Sequence, residues 1–219
     1  MTQGPAADPT AFILAQTAIA ASPLVPEIKL HLATEITPIW EATEATLAAM
    51  NLPPPYWAFA WAGGQALTRF LIDHPDWVQG KRVLDFAAGS GLSAIGAAKA
   101  GAAQTQAAEI DDFAIAAIAL NARVNNVAIE LVREDLIGVA PRWDVVLAGD
   151  VCYERPMAEK VITWFRALAS RGVAILMGDP GRAYLPQSGL LELARYQVPT
   201  SLELEDRTQR ETIVWRLMP

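Results

Sequence analysis

The segment from Lys81 to Gly96, KRVLDFAAGSGLSAIG, restricts the fold of this chain more than any other stretch. A short apolar run ends in small residues and continues into an alanine-rich helical pattern, which predicts a strand, a glycine turn and a helix. Gly89 and Gly91 allow close approach of a ligand, Ser90 can donate a hydrogen bond, and the helix start offers unpaired N–H groups. Asp85, in an apolar strand end, needs a partner if it is buried.

Strands and helices alternate along the rest of the chain. The predicted strands are 82–86, 104–110, 128–133, 143–148 and 173–178, and the predicted helices are 91–100, 112–124 and 156–170. This alternation predicts a parallel sheet with helices on both faces and a ligand crevice at the carboxyl ends of the strands. A helical stretch near 189–194 and strand-like runs at 196–203 and 211–217 follow, so we expect one antiparallel strand in a mixed sheet.

The N-terminal part is predicted to be an extension of this α/β domain. Asp8 as N-cap and Pro9 in the first helical position predict a helix over residues 11–21, and residues 27–32 alternate as a strand does. A further helix is predicted at residues 37–51. We therefore expect a helical, substrate-facing extension at 1–51 and a ligand-binding domain at 52–219.

Composition excludes several classes of protein. The net charge of −7 disfavours a nucleic-acid partner, and one cysteine, Cys152, cannot form an intramolecular disulfide. With only two histidines, a zinc cluster is not expected. The apolar run at 11–21 lacks the charges of a signal peptide and is too short to cross a bilayer. We expect a reduced, metal-free cytoplasmic protein with no membrane partner.

Four aromatic residues precede a glycine pair, in YWAFAWAGG at 56–64. Either these side chains pack in the core, or Trp61 forms part of a lid over a cofactor. Gly63 and Gly64 allow close approach before a helix predicted at 65–73.

Acidic residues lie at the ends of four successive strands: Asp85, Glu109, Asp135 and Asp150. Such residues are often solvated or cap helices, but four of them facing one crevice indicate a binding site. A glycine turn with an acid about twenty residues later also fits dinucleotide binding. The third glycine of that pattern is absent, because Leu92-Ser93-Ala94 follows Gly91.

The segment DFAAGSG resembles motif I of class I S-adenosylmethionine (SAM) methyltransferases. The segment Asp150-Val151-Cys152-Tyr153 resembles the D-x-x-Y/F motif of the seven-β-strand protein-lysine methyltransferases. Residues 57–67, Asn121, Asn125 and 178–182 are similar to the electron transfer flavoprotein β-subunit lysine methyltransferases.

The resemblance implies a Rossmann-like seven-stranded sheet, SAM as cofactor and S-adenosylhomocysteine as product. It implies a protein substrate, the electron transfer flavoprotein β subunit. Ribosomal-protein methylation, small-molecule N-methylation, hydride transfer with NAD and a non-catalytic SAM- or nucleotide-binding module remain alternatives. The cofactor-binding residues it implies are Trp61, Asp85, Ala87, Gly89, Ser90, Gly91, Glu109, Ile110, Asp135, Leu136 and Asp150.

Each acid has an implied task in such an enzyme. Glu109 accepts the ribose hydroxyls, Asp135 accepts the adenine amino group, and Asp85 serves the amino-acid end of SAM or the loop. The implied catalytic residues are Asp150, which holds the lysine and orients it or takes its proton, and Tyr153, which walls the lysine channel. Ala87 departs from the family, since many members have glycine there. Alanine is tolerable only if its φ is negative.

Overall fold

The computed structural model describes residues 8–34, 39, 54–200 and 207–219. The helix predicted at 37–51 lies outside the described residues except for Ile39. The helices are α1 (Pro9–Gln16), α2 (Ala62–Asp73), α3 (Leu92–Lys99), α4 (Asp112–Val124) and α5 (Arg155–Ala169). The strands are β1 (Ala18–Ser22), β2 (Val25–Leu32), β3 (Arg82–Phe86), β4 (Gln104–Ala108), β5 (Glu130–Val132), β6 (Val145–Gly149), β7 (Ala174–Asp179), β8 (Leu190–Pro199) and β9 (Gln209–Leu217).

Seven strands form one sheet in the order β5-β4-β3-β6-β7-β9-β8. The first five run parallel, and β9 is antiparallel to both of its neighbours. The strand order reverses between β3 and β6, which places the ligand crevice of such a sheet at the carboxyl ends of these strands. The predicted mixed sheet with one antiparallel strand is confirmed.

Helices cover both faces of the sheet because the buried strands are apolar on both sides. On one face, Leu84 and Val146 pack with Phe165 of α5. On the other face, Val83 and Val145 pack with α2. Successive side chains of a strand point to opposite faces, so adjacent residues of β3 and β6 serve the two cores.

The N-terminal region contains a β-hairpin that the sequence analysis missed. Asp8 caps α1 as predicted and accepts the N–H of Thr10. The predicted helix over residues 11–21 is wrong beyond Gln16, because residues 18–22 form β1, which pairs antiparallel with β2. Burial of β2 residues such as Leu30 against α3 favours the strand pair over the helical preference of the alanines.

Two other predictions need correction. Residues 190–199 are strand β8 rather than a helix followed by a strand, because Leu190 pairs with Leu217 and the ladder continues to Pro199. Helix α2 begins at Ala62, so Gly63 and Gly64 lie in its first turn rather than before it. None of the described helices combines the length and apolar character needed to cross a membrane.

Candidate active site

The loop between β3 and α3 turns sharply at three left-handed residues. Gly89 has a φ of 53°, and Gly91, with a φ of 76°, is the N-cap of α3. Ala87 has a φ of 52°, so the negative φ that the sequence analysis set as the condition for a tolerable alanine is not found. A side chain in this region costs about 1 kcal/mol or more, and the loop therefore carries backbone strain at its first residue.

Asp85 lies beneath this loop and is 2% exposed. Its Oδ2 accepts the N–H of Ala94 in α3 at 2.8 Å. Burial raises the pKa of Asp85 well above its usual range, the Ala94 N–H opposes this, and the Glu109 carboxylate adds to it. Asp85 thus contacts the helix that follows the loop and is not among the residues lining the cleft.

A cleft of about 530 Å³ opens at the carboxyl ends of β3, β4 and β5. Of the residues expected to bind the cofactor, Ala87, Gly89, Glu109, Ile110 and Asp135 line it. Ser90, Gly91 and Leu136 do not line it. The Leu136 side chain is instead fully buried in the core under α5.

Glu109 is held on the wall of this cleft by backbone N–H groups. Its Oε1 accepts the Gly89 N–H at 3.3 Å and its Oε2 accepts the Ile110 N–H at 3.0 Å. Burial raises the pKa of Glu109, while the N–H groups of Asp111, Gly89 and Ile110 oppose the shift. The carboxylate is thereby fixed beside the loop, where it can accept hydrogen bonds from a bound ligand.

A second cavity of about 280 Å³ is continuous with the cleft. Both are lined by Tyr56, Ala87, Gly89, Glu109, Tyr153 and Met157. The residues that line the second cavity and not the cleft are Trp61, Gly149, Asp150, Val151 and Arg182. We call it the acceptor cavity.

Asp150 follows β6 and has a φ of 56°. Its Oδ2 accepts the N–H groups of Gly63 at 2.6 Å and Gly64 at 3.3 Å. Asp150 therefore caps helix α2, which is remote in sequence, and the positive end of the helix dipole stabilises its negative charge.

Glycines let α2 approach the sheet closely enough for this contact. A Cβ on Gly63 would collide with the carbonyl oxygen of Gly178 and with Asp150 Oδ2. A Cβ on Gly149 would lie 2.8 Å from the Gly64 nitrogen. Gly64 itself has open space where its Cβ would be. Residues 63, 149 and 178 must therefore lack a side chain for α2 to pack against the sheet at this distance.

Arg182, for which the sequence analysis assigned no role, is the cationic partner of Asp150. Its Nε and Nη2 donate to Asp150 Oδ1 at 2.9 and 2.7 Å. Its guanidinium carbon lies 5.9 Å from the centre of the Trp61 ring. Asp179 fixes the loop, because its Oδ1 accepts the backbone N–H of Arg182 at 2.7 Å. The sequence signal was the position of Arg182 two residues after Pro180, at the end of β7.

The aromatic run divides between core and cavity. Trp57 is 2% exposed and stacks on Phe113, so it is a core residue. Tyr56 and Trp61 line the acceptor cavity, and Tyr56 lies 5.7 Å from Tyr153, centre to centre. Burial raises the pKa of Tyr153, which keeps its hydroxyl neutral. The core interpretation therefore applies to Trp57, and the interpretation of Trp61 as a lid over the cofactor stays a prediction.

Cys152 lies beside this site but is fully buried. Burial raises the pKa of its thiol to about 12, and nearby carboxylates of Asp179 and Asp150 add to the effect. The thiol is therefore protonated at neutral pH and fills space as an apolar group.

Asn121 connects the glycine loop with the N-terminal hairpin. Its Oδ1 accepts the His31 N–H at 2.7 Å, and its Nδ2 donates to the Ser90 carbonyl at 2.8 Å. Asn125, one turn later, bonds both backbone groups of Lys29 in β2. The sequence analysis named both asparagines but gave neither a structural role.

The chain was compared with known proteins. The family model described as "Ribosomal protein L11 methyltransferase (PrmA)" matches residues 33–178. The electron transfer flavoprotein beta subunit lysine methyltransferase of Xenopus laevis is 37% identical over 219 residues, covering 96% of this chain and 87% of the relative. That of Danio rerio is 36% identical, covering 94% and 81%.

The chain belongs to the electron transfer flavoprotein beta subunit lysine methyltransferase family. Members of this family are SAM-dependent protein-lysine methyltransferases, and SAM is the cofactor of this enzyme. Magnesium protoporphyrin IX methyltransferase from Synechocystis PCC 6803 with bound SAM has the same fold, with a TM-score of 0.53, 16% identity, and coverage of 71% of this chain and 78% of that one.

The volume and the lining residues of the cleft are suited to SAM. Its volume is in the usual range for sites of small ligands, about 300–1,000 Å³. Glu109 presents a carboxylate to hydroxyl groups, and Ile110 and Ile137 offer apolar surface to a base. The Gly89 Cβ position is open, so the backbone can approach a ligand closely.

Proposed function

We propose that this enzyme transfers the methyl group of SAM to the ε-amine of a lysine in the electron transfer flavoprotein β subunit. The observation that carries the proposal is the 37% identity, over 96% of this chain, to a relative named for that substrate. The acceptor cavity supports it, because it adjoins the cofactor cleft and has aromatic walls that suit a long alkylamine side chain.

In this proposal the cofactor lies in the cleft of about 530 Å³. Glu109 accepts the ribose hydroxyls, Asp135 accepts the adenine amino group beside the Leu136 backbone, and Ile110 packs on the adenine. The loop from Ala87 through Ser90 to Gly91 approaches the amino-acid end, and Asp85 supports that loop from below. Trp61 and Asp150 complete the site at the end near the acceptor cavity.

SAM, when bound, supplies a methyl group on a positively charged sulfur. The enzyme's residues must then deliver a neutral amine, although only about one lysine in a few thousand is neutral at pH 7. Tyr153 and Trp61 form the walls along which the side chain enters, and their apolar ring surfaces suit its alkyl chain. Asp150, held by Gly63, Gly64 and Arg182, orients the amine at the inner end.

The substrate assignment is tested with isotope-labelled SAM. Purified β subunit should acquire label on a lysine, identified by mass spectrometry. Ribosomal protein L11 belongs in the same experiment, because the matched family model carries that protein's name. Label on L11 but not on the β subunit would replace the proposed substrate, and label confined to small molecules would exclude protein-lysine methylation.

The catalytic roles are tested by Asp150→Asn and Tyr153→Phe. We expect Asp150→Asn to leave SAM binding nearly unchanged and to lower kcat by about a hundredfold or more. Tyr153→Phe should raise KM for the protein substrate more than it lowers kcat. Asp144→Asn is a matched control, because Asp144 also pairs with an arginine, Arg82, but on the surface. Unchanged turnover in Asp150→Asn would remove Asp150 from the mechanism.

The remaining proposals concern organisation and location. We propose that residues 1–51 form a substrate-facing extension of the SAM-binding domain at 52–219, since the hairpin within them contacts α3 and α4. We place the enzyme in the cytoplasm. Limited truncation with binding assays tests the first proposal, and immunolocalisation in the native cell tests the second.

A further inference from the structure

Both carboxylate oxygens of Asp150 are fully engaged. Oδ2 accepts from Gly63 and Gly64, and Oδ1 accepts from two nitrogens of Arg182. A carboxylate has about four lone-pair positions, so these contacts fill them. N–H donors and a guanidinium also stabilise the charged form of a carboxylate. An arriving lysine thus meets an aspartate that is already neutralised.

Arg182 determines the net charge of the side chains that line the acceptor cavity. The titratable residues lining the cavity are Tyr56, Glu109, Asp150, Tyr153 and Arg182. Two of these are carboxylates, and Arg182 is the single cation among them. Asp179, behind the cavity on β7, is buried and accepts the backbone N–H groups of Gly181 and Arg182. Without Arg182 the lining would carry two uncompensated negative charges and would hold an ammonium ion strongly.

We infer that Arg182 is a positioning residue that pairs with Asp150 and lies against Trp61, so that the acceptor cavity selects the neutral lysine amine over the ammonium ion. This inference rests on the proposed methylation of lysine. The amine gives up its proton to solvent before attack, its nitrogen forms the new bond to the methyl carbon, and the carbon–sulfur bond breaks with its electrons going to sulfur. Asp150 does not take the proton, because its lone-pair positions are already filled, and the Asp150–Arg182 pair orients the amine through its charge distribution.

Neutralisation by Arg182 has a kinetic consequence. A cavity with excess negative charge would bind lysine as the unreactive ammonium ion and would raise the pKa of the bound amine. Substrate would then bind well and react poorly. Loss of Arg182 should therefore separate KM from kcat, which a purely structural role would not do.

The first test measures charge selection without turnover. n-Butylammonium chloride is titrated at pH 7.5 into the enzyme saturated with S-adenosylhomocysteine, and binding is followed by NMR. We expect Arg182→Gln and Arg182→Met to bind it at least tenfold more tightly than wild type, and Arg182→Lys to bind it as wild type does. Arg216→Gln is the matched control, because Arg216 lies over Trp77 at 5.8 Å. Equal or weaker binding by folded Arg182→Gln or Arg182→Met would overturn the inference.

The second test uses turnover of the β subunit with labelled SAM. Arg182→Gln should lower kcat at least tenfold without raising KM, and its kcat should need a pH about one unit higher to reach half its maximum. Arg182→Lys should restore the wild-type pH profile. An unshifted profile in Arg182→Gln would overturn the inference. If wild type does not methylate the β subunit, the proposed substrate fails, while the butylammonium titration still decides the role of Arg182.

Discussion

The Oδ1 atom of Asn121 accepts the backbone N–H of His31 at 2.7 Å, while the amide nitrogen of the same side chain donates to Ser90 in the glycine loop. One buried asparagine thereby joins the N-terminal hairpin to the glycine loop, which approaches SAM in our proposal. The two contacts couple the position of the hairpin to the position of the loop. A substitution at Asn121 can therefore test this coupling.

Asn121→Ala should destabilise the fold and weaken cofactor binding. The variant leaves two buried backbone groups without their partner, at a cost of about 3 kcal/mol in the free energy of unfolding. Loss of the Ser90 contact should raise the Kd for SAM severalfold, measured by calorimetry. Asn125→Ala is the control, because Asn125 bonds Lys29 in the hairpin and not the loop. It should lower stability with little change in Kd, and equal Kd values for both variants would contradict the coupling.

The close approach of α2 to the sheet gives a second prediction. Gly63→Ala should destabilise the protein by about 2–3 kcal/mol, because its Cβ would meet two oxygens that have no room to move. Gly64→Ala should be neutral or stabilise by up to about 1 kcal/mol, since it lies in the first turn of a helix with open space around the Cβ. Denaturant unfolding of the pair checks this. Similar losses in both variants would show that the glycines serve flexibility rather than contact.

Much of this site was predictable because the strands are apolar runs whose ends can be located in the sequence. The strand bounds at 82–86 and the helix at 112–124 match the structure, since apolar runs and an aspartate N-cap are local signals. The cleft residues Glu109 and Asp135 were identified because parallel strands place their carboxyl ends together. Local sequence was sufficient wherever the structure depends on local interactions.

The errors arose where contacts remote in sequence decide the structure. Residues 18–22 are alanine-rich, yet pairing with β2 makes them a strand. The role of Arg182 depends on Asp150, which lies 32 residues away in the chain. The positive φ of Ala87 is set by the turn that precedes Gly89, and side-chain preference alone predicts the opposite. The local pattern around each of these residues does not identify its partner.

The third prediction is that Ala87→Gly stabilises the protein. Ala87 has a φ of 52°, where glycine is free of strain, so the variant should gain about 0.5–1 kcal/mol after the larger entropy of glycine is subtracted. This corresponds to a rise in Tm of roughly 1–4 °C for a chain of this size. Ala88→Gly, where φ is not positive, should instead lower Tm. A fall in Tm for Ala87→Gly would mean that the alanine methyl group makes a packing contact that outweighs the strain.

The last prediction concerns the pH dependence of SAM binding through Glu109. Our proposal gives the ribose hydroxyls to its carboxylate, which must be ionised to accept both. Burial raises the pKa of Glu109 above its ordinary value of 4.5. The group is ionised above its raised pKa and protonated below it, so affinity should fall as the pH is lowered through that pKa. The fall should therefore begin at a higher pH than for an exposed glutamate.

Glu109→Gln and its matched control Glu130→Gln separate this effect from general acid sensitivity. Glu109→Gln should weaken SAM binding about 10- to 100-fold at pH 7.5, because a charged acceptor is replaced by a neutral one, and should lose most of the pH dependence. Glu130 is exposed at the start of β5, where it accepts from Gln104, and Glu130→Gln should bind SAM as wild type does. Calorimetric titration at several pH values measures both. A wild-type pH profile in Glu109→Gln would assign the titration to another group and would remove Glu109 from the ribose site.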